Sequence, residues 1–299
     1  MNDMSVPSTA DGVLSELTNK LEDLSPEQRK AAAWVLENPK AVGVSSVRDL
    51  AEAADVKPNT VVRMARQAGF EGFEDFRTPF REAIIEGTGS FPDRARWLQS
   101  LSKGGQLGEL YHDIMDAALR NIETTFAGIS EADLRAAAEM IWASRKVYTI
   151  GVGVNHSNAR NFTSLASTGM SDFHAIPRDG STAIDDLART DHRDVLIAIT
   201  CKPYRSEVVN AVQVAREQGL KTIGISDSPA SPVIINADHG FIVAAETPQY
   251  LPSSVSTIAL LEALLSFVIA VASDEIVERV EKFHKRRHQL GIYVKDTAG

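Results

Sequence analysis

Asp55-Val-Lys-Pro-Asn-Thr-Val-Val-Arg-Met-Ala-Arg-Gln-Ala68 is the stretch from which the organisation of the chain can be read. Pro58 suits a first helical position, because its missing N–H is one that no helix satisfies and its fixed φ is already helical. The helix predicted over Pro58 to Ala68 sorts into two faces. Val61, Met64, Ala65 and Ala68 share one stripe, while Asn59, Arg63 and Arg66 fall opposite at i, i+4 and i+7, with Lys57 and Thr60 at the leading end. No acidic residue stands between Asp55 and Glu71.

Two helices are predicted upstream. Ser25-Pro-Glu-Gln28 is a capping box with Pro at the first helical position, and Pro39 forbids continuation beyond Asn38. Trp34 and Val35 give this helix a core face. A short second helix starts near Val47, with Val47, Leu50, Ala51 and Ala54 on one apolar stripe. Asp55 then occupies a turn position that often needs left-handed backbone, which Asp tolerates better than most residues. A weak apolar pattern at Val13, Leu14, Leu17 and Leu21 suggests a further helix or arm.

Helix, turn and outward donors together suit duplex DNA. Arg bridges guanine O6 and N7, Asn bridges adenine N6 and N7, and a helix N-terminus attracts phosphate. Lys57, Asn59, Thr60, Arg63 and Arg66 are therefore the candidate contacts to a double-stranded operator. The competing reading is a three-helix packing module whose exposed face is basic. Phe70, Phe73, Phe76 and Phe80 are read as core behind the helix.

The rest of the composition makes that helix stand out. Among 299 residues, 31 basic against 40 acidic side chains give a formal charge of −9, which argues against a protein that coats nucleic acid with its whole surface. With 43% hydrophobic and 24% charged residues, the chain has room for two modest domains, and disorder, collagen and disulfide scaffolds are excluded. The single cysteine, Cys201, forms no intrachain disulfide, and the first thirty residues lack a secretory pattern, so a cytoplasmic location is expected. The apolar run from Val255 to Ala272 carries Glu262 near its middle and Ser254, Ser256 and Ser266 around it. It reads as a buried helix, with no membrane partner.

From Val147 the pattern changes. Strands are predicted at Val147–Ile150, Asp194–Thr200, Lys221–Ser226 and Gly240–Ala245, with a short one at Phe173–Ile176, and helical segments follow them. Alternation of this kind predicts an α/β fold with a doubly wound parallel sheet. Helices are expected at Glu109–Ala127 and Glu131–Ser144 before the first strand, and at Thr257–Ala272 and Asp274–Gln289 after the last. Gly87-Thr-Gly-Ser-Phe-Pro-Asp93 reads as a hinge between domains. The expected division is an all-α domain over 1–86, a linker over 87–108, the sheet domain over 109–290 and a tail over 291–299.

Two loops of the sheet domain are candidate anion sites. Gly151-Val-Gly-Val-Asn-His-Ser157 follows a strand and opens a helix, where glycines let backbone amides face an anion. A dinucleotide fingerprint begins there but fails at His156, where a third glycine is needed, and Asp172 precedes the next strand instead of ending it. The second loop, Thr200-Cys-Lys-Pro-Tyr-Arg205, follows the next strand at the carboxyl ends where open sheets bind ligands.

These segments together resemble the RpiR-type regulators, bacterial transcription factors with an N-terminal helix-turn-helix and a C-terminal sugar isomerase (SIS) domain. The resemblance spans about residues 20 to 290. It is carried by the stretch from Ala53 through Gly69-Phe-Glu-Gly-Phe73, by Asp194–Thr200, and by Ala215-Arg-Glu-Gln-Gly-Leu-Lys-Thr-Ile-Gly-Ile-Ser-Asp-Ser-Pro229. It implies a DNA-binding regulator whose SIS domain senses a small anionic metabolite, a sugar phosphate or sugar acid, and pairs as a homodimer or tetramer through its long apolar helices. Gly153, Asn155, His156, Ser157, Thr200, Lys202, Arg205 and Glu246 are the implied ligand contacts.

The chain also departs from that family. Members that hold a sugar phosphate have Ser after G-x-G-x and a Ser-x-Ser-Gly-x-Thr loop, where this chain has Asn155 and Thr-Cys-Lys-Pro-Tyr-Arg. Pro203 removes an amide donor, while Lys202 and Arg205 add cations. The site is thus expected to favour an anion by charge instead of by a hydroxyl cradle.

Several residues admit two roles. Glu246 would shuttle a proton or simply end a strand in water, His156 would touch ligand or cap its helix, and Cys201 would sense or merely pack. The run Lys282-Phe-His-Lys-Arg-Arg-His288 reads mainly as a solvated helix end favoured by the helix dipole. No metal spacing occurs, and neither a cofactor nor a catalytic set is expected. A sugar-phosphate isomerase-like enzyme with an appended helical module is the alternative, and it lacks a partner for Glu246. A protein-binding adaptor is the third reading.

Overall fold

A computed structural model describes residues 7–85, 91–103 and 105–293. The chain forms two compact units, one made of residues up to 118 with Glu246–Pro252, the other of Leu119–Ala245 with the residues from Ser253 onward.

The first unit is helical: α1 (Ala10–Lys20), α2 (Pro26–Glu37), α3 (Pro39–Val42), α4 (Val47–Ala53), α5 (Pro58–Gln67), α6 (Phe73–Ile85) and α7 (Phe91–Lys103), followed by the start of α8 (Leu107–Ala127). Both reciprocal bonds of the predicted capping box are present at Ser25 and Gln28, and Ser46 and Asp49 make a second one before α4. Leu50, Ala51, Val61, Met64 and Ala65 are buried in one core with Val13 and Leu17, so the weak first pattern is a true helix. Phe70, Phe73, Phe76 and Phe80 are all buried, their rings packed at centroid distances of 5.4 to 6.3 Å.

The segment expected as a linker over 87–108 is largely ordered as α7. Phe91-Pro-Asp93 opens a helix instead of breaking one, because a Pro in the first turn forfeits no intrahelical bond. Trp97 and Leu101 bury the inner face of α7, and the Arg81 guanidinium lies 5.5 Å from the Trp97 ring centroid. The glycines of the expected hinge, at 87 and 89, lie outside the described residues. The boundary between units falls inside α8, later than the expected start of the second domain at 109.

The second unit contains the rest of α8, then α9 (Glu131–Ala143), β1 (Val147–Gly151), α10 (Val154–Ala166), β2 (Phe173–Ile176), α11 (Ala183–Leu187), β3 (Val195–Ile199), α12 (Ser206–Glu217), β4 (Lys221–Ser226), β5 (His239–Ile242), α13 (Val255–Val271) and α14 (Glu275–Gln289). The five strands are parallel in the order β2-β1-β3-β4-β5. β1 and β3 are buried along their whole length, β3 as a continuous apolar run and β1 with the polar Thr149 at its centre, as strands covered on both faces are. Val147, Val195, Ile197 and Ile223 face a core with α9, α10 and α13, whereas Tyr148, Ile150, Leu196 and Ala198 face one with α11 and α12.

Strand order reverses between β1 and β3, so the chain leaves these neighbouring strands toward opposite faces of the sheet and opens a crevice at their carboxyl ends. Gly151 and Ile199, the last residues of the two strands, are paired in register. No single helix among the described residues is long and apolar enough to cross a membrane. α13 packs its Leu260, Leu264 and Val268 into the core.

Candidate functional site

The first site is the α4–turn–α5 unit. Asp55 adopts φ 51 in the turn, the left-handed conformation its short polar side chain tolerates. Burial of Val61, Met64 and Ala65 fixes the rotation of α5 and leaves Lys57, Asn59, Arg63 and Arg66 exposed, with Thr60 half-buried. All five residues expected on the donor face thus lie off the buried stripe. Arg66 is partly committed, because its Nε donates to the Glu71 carbonyl at 3.1 Å. The leading end of α5 has Pro58 in its first turn, no side-chain cap and no acidic residue, and the Thr60 amide donates to the Lys57 carbonyl at 2.8 Å.

The second site lies where β1 and β3 end. Gly153 caps α10 at φ 61, a conformation that favours glycine. Gly151 has a different role: a methyl group there would lie 2.2 Å from the Asn155 carbonyl oxygen, so the first turn of α10 closes directly over this residue. A methyl on Gly153 would meet Nη1 of Arg205 at 3.5 Å, so the 151–157 and 200–205 loops are neighbours, as expected from the topology.

The side chains in these loops are arranged differently from the expectation. Asn155 was expected to face a ligand. It is turned inward, 7% exposed, its Oδ1 accepting from Asn158 Nδ2 at 3.0 Å, because a buried amide must find a partner. Thr200 is buried and braces its loop: its hydroxyl accepts from the Arg205 amide at 3.3 Å, and its carbonyl accepts from the Ser226 hydroxyl at 2.6 Å. Ser157 is exposed, but its hydroxyl donates back to the Val154 carbonyl at 2.9 Å. His156 is half-buried, its amide bonded to the Gly153 carbonyl. Lys202 and Arg205 are exposed. Glu246 is exposed and groups with the first compact unit.

Electrostatics in the second loop are mixed, not simply positive. Arg205 forms a two-point bond with Glu207, Nη2 to Oε1 at 2.7 Å and Nε to Oε2 at 3.3 Å. That bond holds the Glu207 carboxyl down at about 2. The Lys202 amide donates to the Asp227 carboxylate at 3.2 Å. Burial, reinforced by Asp227, pushes the Cys201 thiol up to about 12, so at neutral pH it is a packed thiol and not a reactive thiolate.

Asp227, Glu207 and Asn158 were missed from the sequence. Glu207 stands two residues after Arg205, and Asp227 follows β4, whose register beside β3 brings its end next to the loop. Among the described residues no group of three or more His, Cys, Asp or Glu side chains is disposed to hold a metal. The basic end of α14 has Arg286, Arg287 and His288 in its last turn; Arg286 and His288 are exposed, and Arg287 is half-buried, stacked over Phe283 and Tyr293.

Known proteins share this arrangement. Residues 11–86 match the helix-turn-helix domain of the rpiR family, and residues 140–270 match the SIS domain family. An uncharacterized HTH-type transcriptional regulator of Caldanaerobacter subterraneus subsp. tengcongensis is 22% identical over 279 residues, covering 90% of this chain and 94% of its own. The HTH-type transcriptional regulator RpiR of Escherichia coli K12 is 21% identical over 262 residues, 87% of this chain and 86% of its own. The structure of the Vibrio vulnificus NanR protein, complexed with ManNAc-6P, superposes with a TM-score of 0.55 at 20% identity, covering 93% of this chain and 98% of that one, and shares the fold. With an rpiR-family helix-turn-helix domain followed by a SIS domain, and full-length relatives named for the same role, the chain belongs to the RpiR-type transcriptional regulators.

Proposed function

We propose that the chain is a sequence-specific regulator that binds double-stranded DNA through α5 and responds to a small anionic, sugar-derived metabolite held at the carboxyl ends of β1 and β3. The observation that carries the DNA half is the outward face of α5. Burial of Val61, Met64 and Ala65 turns Asn59 and Arg63 outward on a molecule whose net charge is −9. Arg63 and Asn59 read base edges in the major groove, and Lys57 and the Thr60 hydroxyl hold phosphates. Arg66, tethered to the Glu71 carbonyl, reaches the backbone beyond the read bases.

A homodimer or tetramer presents two such helices to half-sites about one duplex turn apart. The metabolite acts by binding one arrangement of the two heads better than another, which is the only way a ligand shifts such an equilibrium. The SIS domain works as a sensor, a reading supported by full-length relatives named as transcriptional regulators.

The test is a salt-controlled titration of the purified protein against the operator found by genome-wide footprinting. Arg63→Ala is expected to cost about 1–3 kcal/mol, or roughly 5- to 150-fold in affinity, and to relax preference at one base pair. Equal binding by the wild type and the variant overturns the recognition face.

A further inference from the structure

We propose that the anion recognised between β1 and β3 is a carboxylate, the acidic head of a sugar acid, received by the Arg205 guanidinium in exchange for Glu207, and not a phosphomonoester. This rests on the metabolite-sensing reading above and narrows its ligand class.

A phosphomonoester brings a charge near −2 and three strongly accepting oxygens, so it requires several convergent hydroxyl and amide donors. Most of this loop's donors are committed elsewhere, and the buried Tyr204 hydroxyl and the exposed Lys202 side chain are the ones left over. The Arg205 amide donates to Thr200, the Ser226 hydroxyl donates to the Thr200 carbonyl, and the Lys202 amide donates to Asp227. Pro203 has no N–H to offer. Across the crevice Asn155 is buried against Asn158, and the Ser157 hydroxyl points back to Val154. Asp227 and Glu207 add two negative charges to the loop, and their repulsion grows with the charge of the ligand.

Beside the Tyr204 hydroxyl and the Lys202 side chain, a planar fork remains. Arg205 already holds one carboxylate through two parallel bonds, at 2.7 and 3.3 Å, the geometry a ligand carboxylate reproduces. Both partners are half-exposed, 51% for Arg205 and 50% for Glu207, so the pair holds weakly and exchanges readily. Arg205 also reaches over the glycine turn of β1, with Nη1 3.5 Å from where a Gly153 methyl would lie. A carboxylate displacing Glu207 is therefore received beside the leading turn of α10, with the exposed Lys202 contributing a second cation. Glu207 acts as a built-in competitor that occupies the fork when no ligand is present. Because Arg205 keeps the Glu207 carboxyl at about 2, this competition runs unchanged across the physiological pH range.

Calorimetric titration of the full-length protein with two panels decides the matter. One panel holds aldonic and uronic acids such as gluconate and glucuronate; the other holds neutral-sugar phosphates such as glucose 6-phosphate; sugars carrying both groups are left out. At least one sugar acid is expected to bind. Arg205→Ala should abolish that binding, and Arg205→Lys, which keeps the charge but not the fork, should weaken it at least tenfold. Glu207→Gln should tighten it severalfold by removing the competitor. Thermal melts of each variant confirm its fold. Binding by phosphates and not by acids overturns the carboxylate assignment and leaves metabolite sensing standing; unchanged or weaker acid binding by Glu207→Gln overturns the exchange. Silence from both panels overturns the sensing reading together with this proposal, while the operator titration tests the DNA half separately.

Discussion

Gly151 shows how much a single residue can decide. The carbonyl of Asn155 comes so close that a methyl group at Gly151 would stand 2.2 Å from it, and backbone on both sides leaves nothing soft to yield. Gly151→Ala is expected to destabilise the second unit by about 1–3 kcal/mol or more through overpacking. Gly72→Ala, where a methyl meets nothing within 4 Å, serves as the neutral control in the same urea denaturation series. The sequence supports a glycine at 151 for a turn that points amides at an anion, whereas the structure assigns that turn to Gly153 and makes Gly151 a contact surface. Asn155 illustrates the complementary difficulty. Its polarity and place in the loop suggest a ligand contact, but the second residue of α10 faces inward, and nothing in its own neighbourhood of sequence names Asn158 as the group that satisfies it.

Among elements, the loop between β2 and α11 depends on one buried carboxylate. Asp186 accepts from the Arg178 amide at 2.8 Å, from Arg178 Nε at 2.7 Å and from the Ser181 hydroxyl at 3.2 Å. Burial alone would raise its carboxyl, but the Arg178 amide and guanidinium bonds outweigh burial and leave it below the ordinary carboxylate value. A carboxyl depressed in the folded state stabilises the protein above the unfolded value near 4 and loses that contribution as the pH falls through the folded value. Asp186→Asn is therefore expected to cost about 1.5–3 kcal/mol at pH 7, with the gap to wild type narrowing at pH 3. Denaturation at both values checks it, and an equal gap at both would show that the charge is not what holds the loop.

The helices were more legible than the loops. The capping boxes of α2 and α4 and the faces of α2, α4 and α5 follow from residues three or four apart, so they are readable without knowing the fold. The expected linker differs at Phe91–Lys103 for an equally physical reason: Pro marks a break by local propensity, yet in the first turn of α7 it costs no bond, and Trp97 and Leu101 bury the helix's inner face.

At the scale of the whole molecule, α8 carries an uncovered apolar stripe. Leu107, Tyr111, Ile114, Met115 and Leu119 follow a single stripe along α8, and all are exposed. α13, the long apolar helix expected to mediate pairing, spends Leu260, Leu264 and Val268 on the core of its own chain. A contiguous stripe of five large apolar side chains is more than scattered surface exposure, and a two-fold axis makes such a stripe self-complementary. The homo-oligomer proposed above is thus expected to pair through α8. Sedimentation equilibrium of Met115→Glu/Leu119→Glu should show a shift toward monomer with at least tenfold weaker binding to a two-half-site operator. An unchanged mass places the pairing surface elsewhere.

Sequence alone determined whatever repeats at short range. The rotation of α5 follows from a period of 3.6 residues, the caps of its neighbours from polar residues three apart, and the buried parallel strands from short apolar runs alternating with helical segments. Tertiary structure alone decided which groups in the two loops remain available to a ligand. Parallel register carries Asp227 to Lys202 across 25 residues, folds the Thr200 hydroxyl under the Arg205 amide and sets Arg205 over Gly153. Hydrogen bonds are satisfied in space and not along the chain, so a polar residue's type announces what it is able to bond, and only its neighbours settle whether that bond has already been made.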